Sequence, residues 1–403
     1  MERENKNLNF RYFILQVLFW GAAVVYYAYM TQILQHKNYT EVEIGILNGV
    51  KLLVGVIFQV WIGAYADKNR YRVPLKNLIG LLALLTGILN VALLAVGHNF
   101  WIMFFISAGF GVTFTTLQPL IDSLTLLYGN HGEVINYAKG RMGGSISWAF
   151  LCILAGVYCD QMGVGTFPLG GLIFVVFLAY AAFRLPWEKI SEKNAVNKKA
   201  VSKSTKEKPH SVLFLLKNYP AFTVFLVGST VMFMGYNFGS TFLIDVFRGL
   251  GGNNTHFGIA QFVLAISEVP SAIIILKLRN KIPIKYMMVC CAFFMALKNA
   301  IPVYASSISV VIAAQACEML GLGLFYAGSI YFIEENIPSA DIVKATTLIS
   351  VATVGIGEGT AAFMCGVIRK NVGLYGLMKT GAIVNGLAVI IFIVMCKFNA
   401  NKK

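Results

Sequence analysis

Residues 119–148 read PLIDSLTLLYGNHGEVINYAKGRMGGSISW. The stretch leaves one apolar run, crosses the short polar loop GNHGEVINYAKG and enters a second apolar run at RMGGSISWAF. Two apolar runs joined this closely describe a helical hairpin of the membrane kind, since a helix needs about 20 apolar residues to cross the hydrocarbon core. The hairpin also carries Asp122, Arg141 and Trp148. A charge placed at the centre of a spanning helix costs about 2.5–3.5 kcal/mol on insertion scales, so charges kept there are functional candidates. Arg141 and Trp148 are two helical turns apart and share a face. A guanidinium and an indole on one face, with a carboxylate nearby, can grip a polar, ring-shaped solute.

The same pattern recurs along the chain. Of its 403 residues, 57% are hydrophobic and 13% are charged, against about 25% charged in a soluble protein. Apolar runs of membrane length fall at 11–34, 43–65, 74–97, 100–128, 142–161, 166–185, 218–246, 256–278, 284–304, 307–333, 342–367 and 372–397. The expected fold is therefore all-α, with twelve transmembrane helices. The Lys-rich segment 186–217 lacks apolar periodicity and reads as a linker with a partly helical stretch. It separates residues 1–185, a first six-helix bundle, from residues 218–403, a second. IGILNGVKLLVG in the second run and FGIAQFVLAISEVP in the eighth echo each other weakly, and each run is followed by a short basic loop. Two related six-helix halves suit an alternating-access transporter.

The net charge of +15 is a topology signal rather than a nucleic-acid signal. With connections numbered alternately from the N-terminus, 26 Lys and Arg fall on the N-terminal side and four on the other, with Lys51, Lys298 and Lys379 inside runs. By the positive-inside rule both termini and the linker are cytoplasmic. The N-terminus MERENKNLNFRYF lacks a cleavage site, so the first run reads as a retained helix. The seven cysteines lie in or beside apolar runs, contain no CxxC and read as packing residues.

Ionisable residues recur inside the later runs. Glu268 precedes Pro270 in the eighth, Lys298 precedes Pro302 in the ninth, Glu318 lies in the tenth and Glu358 in the eleventh. These groups must pair, line water or carry protons. Tyr236 and Asn237, among glycines in MGYNFGS, offer hydroxyl and amide groups to a solute; Tyr26, Tyr27 and Tyr29 do something similar in the first run. Lys51 either pairs with an acid or snorkels, and Lys379, near a run end, snorkels. The alternative for Asp122 and Arg141 is a structural ion pair. No GxxxxGK[ST] stretch supports an ATP-driven pump, and the five His are scattered in loops rather than clustered for metal. No cofactor or metal is expected, and nothing suggests an enzyme.

GAYADKNRYR resembles the Gly-xxx-Asp-Arg/Lys loop of the major facilitator superfamily at Gly63, Asp67 and Lys68, a gating loop in that family, with Arg70 where a second Gly is usual. Residues 119–148 resemble the branch that holds the lactose permease and phenylpropionate permease groups. Pro119 and Asp122 match its Pro-x-x-acid, and Arg141, Met142 and Trp148 match its Arg-Met and Trp, with one extra residue between acid and arginine. The resemblance implies that Asp122 and Arg141 bind a sugar on which Trp148 stacks. Glu268 matches that family's glutamate in the eighth helix, and Lys298 stands where it has an arginine. Glu318 and Gly321 stand where the family has a His and a Glu essential to proton coupling, so the proton-handling half is rewired.

The expected function is secondary active transport, with a proton-coupled symporter importing a sugar or oligosaccharide as the first reading. Substrate contacts are expected from Asp122, Arg141, Trp148, Tyr236, Asn237, Glu268 and Lys298, and proton coupling from Glu268, Glu318 and Glu358. The same machine carrying an aromatic acid, a nucleoside or an exported drug is the alternative, and a non-transporting membrane sensor is a third. The expected partners are a small polar solute, protons and the bilayer, with no nucleic acid. The protein is expected to be a monomer in the plasma membrane.

Overall fold

The computed structural model describes residues 6–69, 72–129, 135–186, 210–338 and 341–398. Arg70 and most of the expected linker lie outside them. Among the described residues the regular structure is helical throughout. The membrane-length helices are α1 (Asn7–Ala28), α2 (Glu41–Lys68), α3 (Leu75–Ala95), α4 (Phe100–Thr125), α5 (Tyr137–Met162) and α6 (Val164–Phe183), followed by α7 (Pro220–Gly249), α8 (Asn254–Leu278), α9 (Ile284–Tyr304) and α10 (Ile308–Asn336). A final stretch, Lys344–Met395, is continuous in length but breaks at Gly373, whose φ of 77° only glycine adopts readily. The break separates α11 (344–372) from α12 (374–395) and completes twelve spans. Large apolar side chains such as Trp61, Phe105, Leu154 and Ile390 remain exposed on many helices, as expected for groups that meet lipid rather than water.

Helix starts follow local capping chemistry. The Asn99 side chain accepts from Ile102 N and the Asn136 side chain from Lys139 N, while Asn253 forms a reciprocal capping box with His256. The Asn136 cap starts α5 at Tyr137, five residues before the apolar run begins at 142, so Arg141 sits in the second turn and not at the helix start.

The chain divides into two compact units, one of residues 1–39 and 50–204 and another of residues 40–49 and 205–403. In the first, small residues set the helix spacing. A Cβ at Gly140, Gly143 or Gly144 would come within 2.6 Å of the Tyr12, Phe13 or Trp20 ring, so α1 lays its aromatic side chains directly on the α5 backbone. Ser147 adds a hydrogen bond to Val17 O at 2.8 Å. In the second unit, α7 packs on α12 and α9 through Gly228, Gly235 and Gly239, which face Phe392, Asn385 and Asn299. A stacked Phe225–Phe332 pair, 4.4 Å between centroids, anchors its core. His210, in the C-terminal part of the linker segment, is held through its Nδ1, 2.7 Å from Oδ2 of the fully buried Asp341. At α2's start, Glu41 pairs with Arg369 at 2.7 Å, and Arg369 also reaches Asp245.

Several spans are interrupted. A π-turn at Val24–Ala28 ends α1 before a short extension, Met30–His36. Turns interrupt α4 at 114–116 and α7 at 241–242. A 3-10 turn at Gln315–Met319 unwinds α10, and Val351–Glu358 of α11 is a π-helix. Such breaks expose backbone polar groups that are tolerated at membrane depth only where protein or a polar cavity satisfies them. Ser271 of α8 does this for one of them, donating to Met319 O at 2.6 Å.

Candidate functional site

The first unit gathers polar groups around Asp122. Residues Tyr12, Gln16 and Trp20 recur every four positions and so line one face of α1, and Gln118 and Asp122 share a face of α4 for the same reason. Asp122 Oδ1 accepts from Gln16 Nε2 at 2.9 Å, from Gln118 Nε2 at 2.9 Å and from Tyr12 Oη at 3.2 Å. Gln118 Nε2 also reaches Oδ2 at 3.0 Å. Three donors from two helices hold the carboxylate, which lets it remain in a partly buried position.

Arg141 lies close enough to act on Asp122 electrostatically, yet no ion pair joins them among the described residues. Its guanidinium instead covers the Trp20 indole, 4.2 Å from the ring centroid, and lies close enough to Tyr137 to act on its hydroxyl. Trp148 meets Trp20 edge to face, with centroids 5.7 Å apart and an interplanar angle of 82°. The two indoles thus form a right-angled corner with a cation on one wall. The Trp20 indole N–H is buried with no hydrogen-bond partner. Planar, hydroxyl-bearing molecules find here a stacking surface, a fixed cation and a carboxylate already oriented by donors.

The sequence singled out Asp122, Arg141 and Trp148, and the structure brings them into one region of this unit. It adds Tyr12, Gln16, Trp20 and Gln118, which sequence reasoning missed. The signal for Tyr12, Gln16 and Trp20 was their four-residue recurrence through the largely apolar α1, and that for Gln118 its place four residues before Asp122. Tyr26 and Tyr29 serve differently. Tyr26 is fully buried against Phe110 and Phe114, and Tyr29 donates to Cys152 O at 2.9 Å. Lys51 is buried and donates to Tyr26 O at 2.8 Å, at the π-turn that ends α1.

In the second unit, Lys298 and Glu318 form a buried ion pair at 2.6 Å, with side-chain exposures of 6% and 1%. The Lys298 ammonium stands over the Tyr236 ring, 5.0 Å from its centroid. The Glu268, Glu318 and Glu358 carboxylates all lie close enough to act on the Tyr236 hydroxyl. Tyr236 is therefore the point on which the expected groups of α7–α11 converge. Asn237 faces elsewhere: its Oδ1 accepts from Thr241 Oγ1 at 3.0 Å and sits 3.4 Å from Cys365 Sγ. A pocket opens beside the ion pair, walled by Tyr236, Gln261, Lys298, Asn299 and Gln315. Pro302, also on the pocket wall, has no N–H to bond the Lys298 carbonyl one turn earlier.

Gly63, Asp67 and Lys68 occupy the last turns of α2, where Asp67 and Lys68 are exposed.

The MFS_1 like family model matches residues 7–376. No curated protein matches by sequence. Among solved structures, a mutant form of the nucleoside transporter NupG is similar with a TM-score of 0.82 and 14% identity, covering 97% of this chain and 100% of that one. Another NupG structure gives 0.80 at 15% identity, covering 98% and 100%. The D-xylose-proton symporter gives 0.68 at 14% identity, covering 97% of each chain. At these identities the likeness concerns the fold.

Proposed function

Because the chain belongs to the MFS_1 like family, whose structural relatives are membrane transporters and not enzymes, we propose that it is a secondary active transporter importing a sugar or oligosaccharide together with protons by alternating access. In this reading it sits in the plasma membrane with both termini cytoplasmic. The observation that carries the substrate class is the first-unit cluster: Asp122 held by three donors, beside Arg141 on a corner of two indoles. Sugar hydroxyls pair with Asp122 and Arg141, and the pyranose face stacks on an indole. The resemblance of residues 119–148 to the lactose permease branch supports the same assignment.

Coupling falls to the second unit. Glu318 neutralises Lys298 while both are ionised. A proton arriving on Glu318 ends that pairing and frees the ammonium to donate to solute, so proton and solute binding favour each other. Glu268 and Glu358, which share the surroundings of Tyr236, pass the proton onward. Such reciprocity is what symport requires thermodynamically.

A nucleoside is the second reading, since a nucleobase stacks on the indole corner as well as a pyranose does. Uptake of labelled lactose, D-xylose, uridine and phenylpropionate into expressing cells separates these readings. Replacing Arg141 by Ala is expected to abolish uptake while the protein still reaches the membrane. Undiminished uptake by that variant contradicts the assignment.

A further inference from the structure

The pocket beside the Lys298–Glu318 pair contains groups that the coupling scheme leaves unused. Gln315, 1% exposed, begins the 3-10 turn of α10. Its Nε2 donates to Val311 O at 3.2 Å, but its Oε1 is buried on the pocket wall with no hydrogen-bond partner. A buried acceptor left unpaired is destabilising, so its retention calls for a donor that comes and goes. Other wall groups are committed: the Asn299 amide donates to Gly235 O at 2.7 Å, and Ser240 Oγ donates to Asn237 O at 3.4 Å. The Gln261 amide, 8% exposed, faces the same pocket. Leu243 and Leu264 supply apolar wall.

The charge of this pocket is also informative. Lys298 is the charged residue on its wall, and Glu318 already matches it at 2.6 Å. While the pair is intact, an anionic solute entering here finds no spare cation and must break it. A neutral solute meets no such barrier.

We infer that Gln315 is a specificity-determining residue whose carboxamide oxygen accepts a hydrogen bond from an O–H or N–H group of an uncharged solute, and that the pocket rejects organic anions while its Lys298–Glu318 pair is intact. This rests on the transport reading above and narrows it: sugars and nucleosides remain, and aromatic acids are excluded.

The test uses the full-length protein in proteoliposomes with D-xylose, lactose, uridine and phenylpropionate as probes, a pH gradient being imposed. One or more of the three neutral probes should be taken up, and phenylpropionate neither transported nor competing. Derivatives of the transported probe, each lacking one hydroxyl or N–H donor, then compete against it. One of them should bind about tenfold more weakly than the parent to the native protein. In Gln315→Met, KM for the parent should rise about tenfold, and that one derivative should no longer be discriminated against. A purely structural role for Gln315 leaves the discrimination unchanged. If the native protein discriminates against none of the derivatives, the inference is overturned whether or not the variant folds. Phenylpropionate uptake, or uptake of none of the neutral probes, also overturns it. If Gln315→Met keeps both KM and discrimination while Arg141→Ala is inactive, the Gln315 inference fails and the transport reading stands. If Arg141→Ala is fully active, the first-unit cluster is not the solute site, and that part of the transport reading fails.

Discussion

At the residue scale, the buried charges decide most. Lys298 and Glu318 are nearly sealed from solvent and depend on each other. Changing Lys298 alone to Met leaves a buried carboxylate unpaired and should lower stability by about 3–5 kcal/mol, whereas Lys298→Met combined with Glu318→Leu should recover most of it. Thermal unfolding of the detergent-purified proteins measures both. A double variant no more stable than the single one refutes the pairing. Asp122→Asn keeps the size of the side chain but exchanges an acceptor for a donor facing Gln16 and Gln118, which already donate. Uptake should fall at least tenfold with a modest change in stability; unchanged uptake removes Asp122 from the site. Asp122, Arg141 and Trp148 were legible because charge and indole stand out against hydrocarbon within one hairpin. Gln16 and Tyr12 were not, because their partner Asp122 lies more than 100 positions away and only helix packing joins them. Gln315 was illegible for a different reason: its significance is an unpaired oxygen, which spacing does not encode.

At the element scale, glycine decides how closely helices approach. Gly140, Gly143 and Gly144 leave α5 without side chains on one face, and the rings of Tyr12, Phe13 and Trp20 fill that face. A Cβ at Gly144 would lie 2.3 Å from the Trp20 ring. Gly144→Ala should therefore displace the indole from beneath Arg141, cost about 1–3 kcal/mol as overpacking does, and raise KM. The conservative Trp20→Phe change should retain more transport than Trp20→Ala. An uptake assay showing full activity in Gly144→Ala removes Trp20 from the site. Span existence followed from apolar run length, and the caps explain the shifted starts. The interruptions were less legible. The π-turn at VVYYA of α1 contains neither glycine nor proline, so nothing local marks it, whereas the π-helix VATVGIGE of α11 at least carries two glycines. Gly373 separates the last two spans through its φ of 77°, a backbone property that residue type only permits.

At the scale of the whole molecule, twelve spans in a transporter fold follow from hydropathy and agree with the structural relatives. The charge bias argues in addition that the termini and the long linker share the cytoplasmic side. Single cysteines placed at residue 2 and in the linker should be protected from a membrane-impermeant thiol reagent in intact cells. Labelling of either one from outside reverses the orientation. Symport means that solute and proton move together through this chain. Its most direct test is uptake of labelled lactose, D-xylose and uridine with external pH recorded at the same time. A neutral solute should accumulate above its external concentration and alkalinise the medium when added, and Arg141→Ala should lose both. Uptake that merely equilibrates, without a pH change and regardless of Arg141, contradicts symport.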